Sequence, residues 1–345
     1  VYNTVPERFS MILDKGEIIT PDGRDAYFDL PGIAVLIGGM WIANTYYWGF
    51  NQYIIQRTFA AKSLEEAQKG IAFAAFLKLI IPIFVVLPGI IAYVINLDPS
   101  TGELVKTLPE GFVSQDGKIL NDNAAPWLIK NYIPVGIKGL ILAALAAAIV
   151  SSLASMLNST STIFTMDIYK EYINKNASDK ILVKVGRIVV IISLLIAMLI
   201  APAFGNLSQV FQAIQEYTGV VSPGILAVFI MGLFYKKATN NAAIWGILLS
   251  IPIAMYFKVV PKGWIEFFPS FSHGLFISEI PFLHQMGITF IITMIVIYII
   301  SYLEGNQNDP KGIELSKNLF ETKPSFNIPA FAVLIITAML YAIFW

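Results

Sequence analysis

The chain has 345 residues, of which 56% are apolar and 13% charged, with a formal net charge of +0 and a mean hydropathy of +0.68. That composition lies outside the range of water-soluble globular proteins, and the balanced charge gives no electrostatic footprint for nucleic acid. The absence of cysteine excludes disulfide staples and thiolate metal sites.

The pattern reads as an all-α polytopic membrane protein with eight candidate spans, each needing about 20 apolar residues. Residues 1–30 form an external N-terminal segment. The chain starts at Val1 without an initiator methionine or a signal pattern, and it reads as the C-terminal part of a longer polypeptide.

The first span, 31–56, contains Gly38, Gly39 and Gly49 together with Asn44, Asn51 and Gln52. Glycines and amides at that density predict a broken membrane helix whose freed backbone groups face a cavity or ligand. An aromatic belt is the alternative, but Asn44 to Trp48 falls near mid-span, where a belt does not belong. The second span, 70–96, places Lys78 eight residues after Gly70, about 12 Å along a helix. Its ammonium either snorkels to the headgroups or lines a wet cavity.

The loop 97–134 is too long for a simple connector and is read as an external lid or a solvated excursion. It carries turn chemistry at Asp98-Pro99-Ser100-Thr101-Gly102, and Ala124 to Tyr132, around Trp127, predicts a short helix over the bundle. In the third span, 135–166, Ala148, Ser151 and Ser152 recur at i, i+3 and i+4, with Ser155, Asn158, Ser159 and Thr160 beyond. Two hydroxyls and a carbonyl on one patch suit a weakly held monovalent cation. Alone, the stripe reads more readily as small-residue helix packing.

The fourth and fifth spans, 185–203 and 205–235, divide at a tight external turn, Ala201-Pro202-Ala203-Phe204-Gly205. Phe211, Gln212, Gln215 and Glu216 form a polar band on the fifth, and Pro223 predicts a kink. Glu216 either lies near enough to the external end to be wet or belongs to a polar band inside the span. The last three spans, 238–258, 283–303 and 326–345, carry few polar groups and read as scaffold. His273 and His284 read as interfacial histidines rather than a metal pair. Thirteen Lys and Arg flank the loops on the side of residues 57–69 against nine opposite, which favours an external N-terminus. No nucleophile-elbow, phosphate-loop, zincin or dinucleotide motif occurs, so the chain is not read as an enzyme.

Three strings go further: Trp41 to Arg57, then Ala143 to Asn158 with Thr165 to Tyr172, then Ile214 to Gly219. In these strings, and over essentially its whole length, the sequence resembles the sodium:solute symporter family. The likeness is strongest to the bacterial sodium/galactose transporters of its sodium/glucose cotransporter branch. The resemblance implies a LeuT-like fold of two inverted five-helix repeats. Here 31–236 would be the second repeat, 237–345 three accessory helices, and the N-terminal half of the same transporter a missing partner. It also implies sugar binding by Asn44, Lys78 and Gln215, an inner gate at Tyr47 with Trp48 beside it, and an outer gate at Phe211. Sodium would bind at Ala148, Ser151 and Ser152. The expected function is sodium-coupled symport of a galactose- or glucose-type sugar across the bacterial inner membrane, in contact with lipid. The rivals are another solute (polyol, amino acid, vitamin or carboxylate) or a non-transporting sensor or channel.

Overall fold

The computed structural model describes residues 14–17, 19, 25–28, 31–96, 121–204, 210–259, 280–305, 307, 308, 312, 315 and 321–343. The expected turn at Asp98 to Gly102, Gly205 and His273 lie outside the described residues. Eleven α-helices run through these residues: α1 (Ala34–Ile37), α2 (Gly39–Gly49), α3 (Gln52–Phe59), α4 (Leu64–Ile95), α5 (Ala124–Tyr132), α6 (Val135–Ile163), α7 (Asp179–Ile200), α8 (Val210–Phe234), α9 (Asn240–Val259), α10 (Phe282–Leu303) and α11 (Pro324–Ile343). Seven helical stretches are long and apolar enough to cross a membrane, against the eight expected. The difference is the first span, which is interrupted at Gly38 and again between Gly49 and Gln52, so none of its pieces reaches membrane length. The break expected from its glycines and amides is therefore present.

The chain divides into two compact units, Val1–Asn51 with Gln212–Trp345, and Gln52–Phe211. In the first, Ile42, Leu226, Ala227, Met231, Ala242, Phe290 and Ile297 form the core. Small residues let its backbones approach. A Cβ on Gly224 would fall 1.9 Å from the Ser250 hydroxyl, one on Gly246 2.7 Å from Ile297, and one on Gly39 2.2 Å from the Leu283 carbonyl oxygen. Two of the hydroxyls buried in this unit turn back onto their own helices. Thr293 donates to the Thr289 carbonyl at 2.7 Å and Ser250 to that of Ile247 at 2.8 Å.

In the second unit α4 begins at Ser63, whose hydroxyl accepts from the Glu66 N–H at 3.2 Å, with Glu65 and Glu66 in the first turn. The predicted helix within the long loop is present as α5. Beside it, the Asp122 carboxylate accepts from the Val210 N–H at 2.7 Å, capping the start of α8. The third span runs past its expected end: from Phe164 to Ile173 the backbone is a π-helix, closed by the Asn174 N–H to the Tyr169 carbonyl at 2.8 Å. Ala201–Phe204 form a 3-10 turn where a tight turn was expected. No residue in the most apolar stretch of α6 or α7 is buried, a surface suited to hydrocarbon rather than water.

Two outcomes test this packing. Gly39→Ala should destabilise the protein by about 1–3 kcal/mol, because the opposing atom is backbone and cannot move aside as a side chain can. Gly232→Ala, with open space around it, should be neutral or stabilising by up to about 1 kcal/mol in thermal unfolding in detergent. Glu304, at the end of α10, accepts hydrogen bonds from the Thr239 hydroxyl and from the Asn241 amide at 2.9 Å, which hold its carboxyl below the ordinary glutamate range. A carboxyl shifted down when folded stabilises the fold above its unfolded pKa, and that contribution disappears as pH falls through the folded value. Glu304→Gln should therefore flatten the acid side of the stability profile.

Candidate functional site

Helix α2 carries the densest set of expected sugar-binding groups because its two faces differ. Ile42 is buried in the core, with Tyr46 and Phe50 packed against the same cluster. Trp41, Asn44, Thr45 and Trp48 lie on the exposed side, at i, i+3, i+4 and i+7. Trp41 is held edge-on to Phe290 with centroids 5.4 Å apart, and Phe50 stacks on Phe229 at 4.7 Å. The Asn44 amide donates to the Met40 carbonyl at 3.0 Å, which fixes its orientation and leaves its oxygen and second N–H available. Tyr47 and Trp48 meet edge to face, 5.2 Å apart at 79°. Gln215, on α8 of the same unit, is half-buried.

The other expected groups belong to the second unit. Lys78 is exposed on α4, and Ala148, Ser151 and Ser152 are exposed together on one face of α6. Phe211 is 72% exposed one residue after the start of α8. Thus Asn44, Tyr47, Trp48 and Gln215 share one unit, whereas Lys78, Phe211 and the serine stripe share the other.

A polar chain that the sequence reading did not anticipate lies next to the stripe. The Ser155 hydroxyl donates to the Ser151 carbonyl at 3.1 Å and accepts from the Arg57 guanidinium. The Gln56 amide donates to the Ser155 carbonyl at 3.2 Å, and its oxygen accepts from Asn158 at 3.3 Å. Helix α3 is thereby fastened to α6 one turn beyond the stripe, and the Ser151 carbonyl is drawn into the network. Ser155 and Asn158, polar within an apolar run, were the available signal. They lie 99 and 102 residues from Gln56 in sequence.

The family model for sodium:solute symporters matches residues 3–250. The chain belongs to the sodium:solute symporter family. It is 53% identical over 349 aligned positions to the sodium/glucose cotransporter of Vibrio parahaemolyticus, covering 99% of this chain and 59% of that protein. It is 34% identical over 247 positions to the sodium/myo-inositol cotransporter 2 of Oryctolagus cuniculus, covering 69% of this chain and 35% of that one. A solved Na+-coupled sialic acid symporter in a substrate-bound outward-open state superimposes with a TM-score of 0.60 at 26% identity, covering 83% of this chain and 52% of that structure. The chain therefore spans 59% or less of the length of these relatives. It is a multi-pass membrane protein of the all-α, LeuT-like class, and the proteins it resembles are transporters.

If the α3 to α6 fastening supports the stripe, Gln56→Ala should lower stability by about 1 kcal/mol per lost hydrogen bond. Thermal unfolding in detergent measures it.

Proposed function

We propose that this chain carries part of a sodium-coupled symport of a galactose- or glucose-type sugar across the bacterial inner membrane, by alternating access. The observation that supports this most is the 53% identity to a sodium/glucose cotransporter over 99% of the chain, which takes in every residue proposed for the site. In this reading 31–236 is the second inverted repeat, 237–345 are accessory helices, and an N-terminal half of the transporter supplies the remaining walls of both sites.

A sugar presents an apolar C–H face and a rim of hydroxyls, so it needs an aromatic platform and amide or ammonium donors. Tyr47, braced edge-on by Trp48, supplies the platform and the inner gate. Asn44, Lys78 and Gln215 supply the donors. Phe211 closes the outer side. Sodium is the coupling ion, held by the Ser151 and Ser152 hydroxyls and the Ala148 carbonyl, since neutral oxygens suit a monovalent ion that must also be released. Sodium favours the outward-open state, sugar closes the outer gate, and sodium release with movement of Tyr47 opens the inner side. Each ligand then raises the other's affinity by the same factor.

A second reading keeps the fold and changes the solute, because relatives are named for myo-inositol and sialic acid as well as glucose. Competition of labelled galactose uptake by myo-inositol and by a sialic acid separates the two. Ser152→Ala should raise the sodium concentration for half-maximal galactose uptake in vesicles by about tenfold, equivalent to about 1.4 kcal/mol. Unchanged sodium dependence would remove Ser152 from the ion site.

A further inference from the structure

Glu216 lies one residue after Gln215 on α8, and its side chain is only 20% exposed. Lys258, in the last turn of α9, reaches it with Nζ 3.4 Å from the carboxylate, and the same ammonium lies over the Tyr217 ring, 4.1 Å from its centroid. One cation therefore grips two successive side chains of α8. Ion pairs of this degree of burial hold geometry better than exposed ones, and the ring contact adds to the grip.

Beyond the cap at Val210, α8 packs at this level through Gly219, next to Met286, and Val220. Glu216, Gly219, Val220, Ala254, Lys258 and Gln285 line a cavity of about 30 Å³, so side-chain packing is incomplete there. One turn further on, Pro223 is fully buried within the helix. It cannot donate to the Gly219 carbonyl, which leaves the backbone free to bend between the two halves of α8. Below that point the packing is tight, with Gly224 against Ser250 and Leu226 and Ala227 in the core. The half of α8 that carries Gln215 thus adjoins a bendable joint and a small void, with the Lys258 grip as the polar side-chain restraint beside Gln215 and the Asp122 cap at the helix start.

We propose that Lys258 is a positioning residue for the solute site: by binding Glu216 and Tyr217 it fixes the rotation of the N-terminal half of α8, and with it the presentation of Gln215. This rests on the reading of Gln215 as a solute-binding residue.

The test uses the transporter assembled from this chain and its N-terminal half, in vesicles and in detergent. Lys258→Met should raise the KM for labelled galactose about five- to tenfold while kcat changes less than about twofold. Glu216→Gln should do the same, and the double variant should be no worse than either single one. Lys258→Arg, which keeps the charge, should recover most of the loss. A separate readout needs no solute. Because the chain has no cysteine, spin labels at Ile214→Cys on α8 and Ile299→Cys on α10 report one narrow distance distribution, which should broaden in Lys258→Met and narrow again in Lys258→Arg. If unaltered protein shows no sodium-dependent galactose uptake, the transport reading fails and the spin-label result still decides the restraint. If the distribution stays narrow in Lys258→Met, or if KM is unchanged while only folded yield falls, the proposal is overturned.

Discussion

A backbone amide inside a bilayer has no water to bond, so a helix there can be interrupted only where its freed N–H and C=O groups find other partners. The first span obeys this constraint and the rest of the molecule follows from it. Its breaks at Gly38 and before Gln52 isolate α2, an eleven-residue helix held by Ile42 on one side and presenting Trp41, Asn44, Thr45 and Trp48 on the other. The close approach of Gly39 to the Leu283 carbonyl fixes where that short helix begins. An unbroken helix would bury its polar side chains in hydrocarbon or present them at a depth set only by lipid.

The two units solve different packing problems. The first has a core of interlocked small and branched side chains, with Gly224 and Gly246 admitting Ser250 and Ile297. In the second, most apolar side chains of α4, α6 and α7 face outward, and specific polar links provide the order: Gln56 with Ser155 and Asn158, and Asp122 with the first N–H of α8. Such links carry direction, which small apolar contacts do not.

Much of this was readable from the residues themselves. Long apolar runs gave the spans, the glycines and amides of 38–52 gave the break, and the Trp127 segment gave α5, because each signal is local and periodic. Other features depend on residues far apart in sequence. The depth of Glu216 leaves it open between a wet and an intramembrane position, and only the fold brings Lys258 to it from the next helix. Gln56 and Asn158 are separated by 102 positions and by the whole of α4. The π-helix from Phe164 to Ile173 has no distinct compositional signature, since one extra residue per turn changes the ladder and not the side-chain chemistry.

The contact between Gly39 and Leu283 joins residues 244 positions apart (283 − 39), with all of the second unit synthesised between them. At elongation rates of about 5–20 residues per second, α2 waits roughly 12 to 50 seconds for the helix against which it will seat. During that interval a short helix rich in tryptophan, tyrosine and amides must be sheltered by the insertion machinery or by other parts of the membrane. Biogenesis of this protein is therefore timed by the arrival of α10, and the helices that look like passive scaffold are the ones that complete the fold.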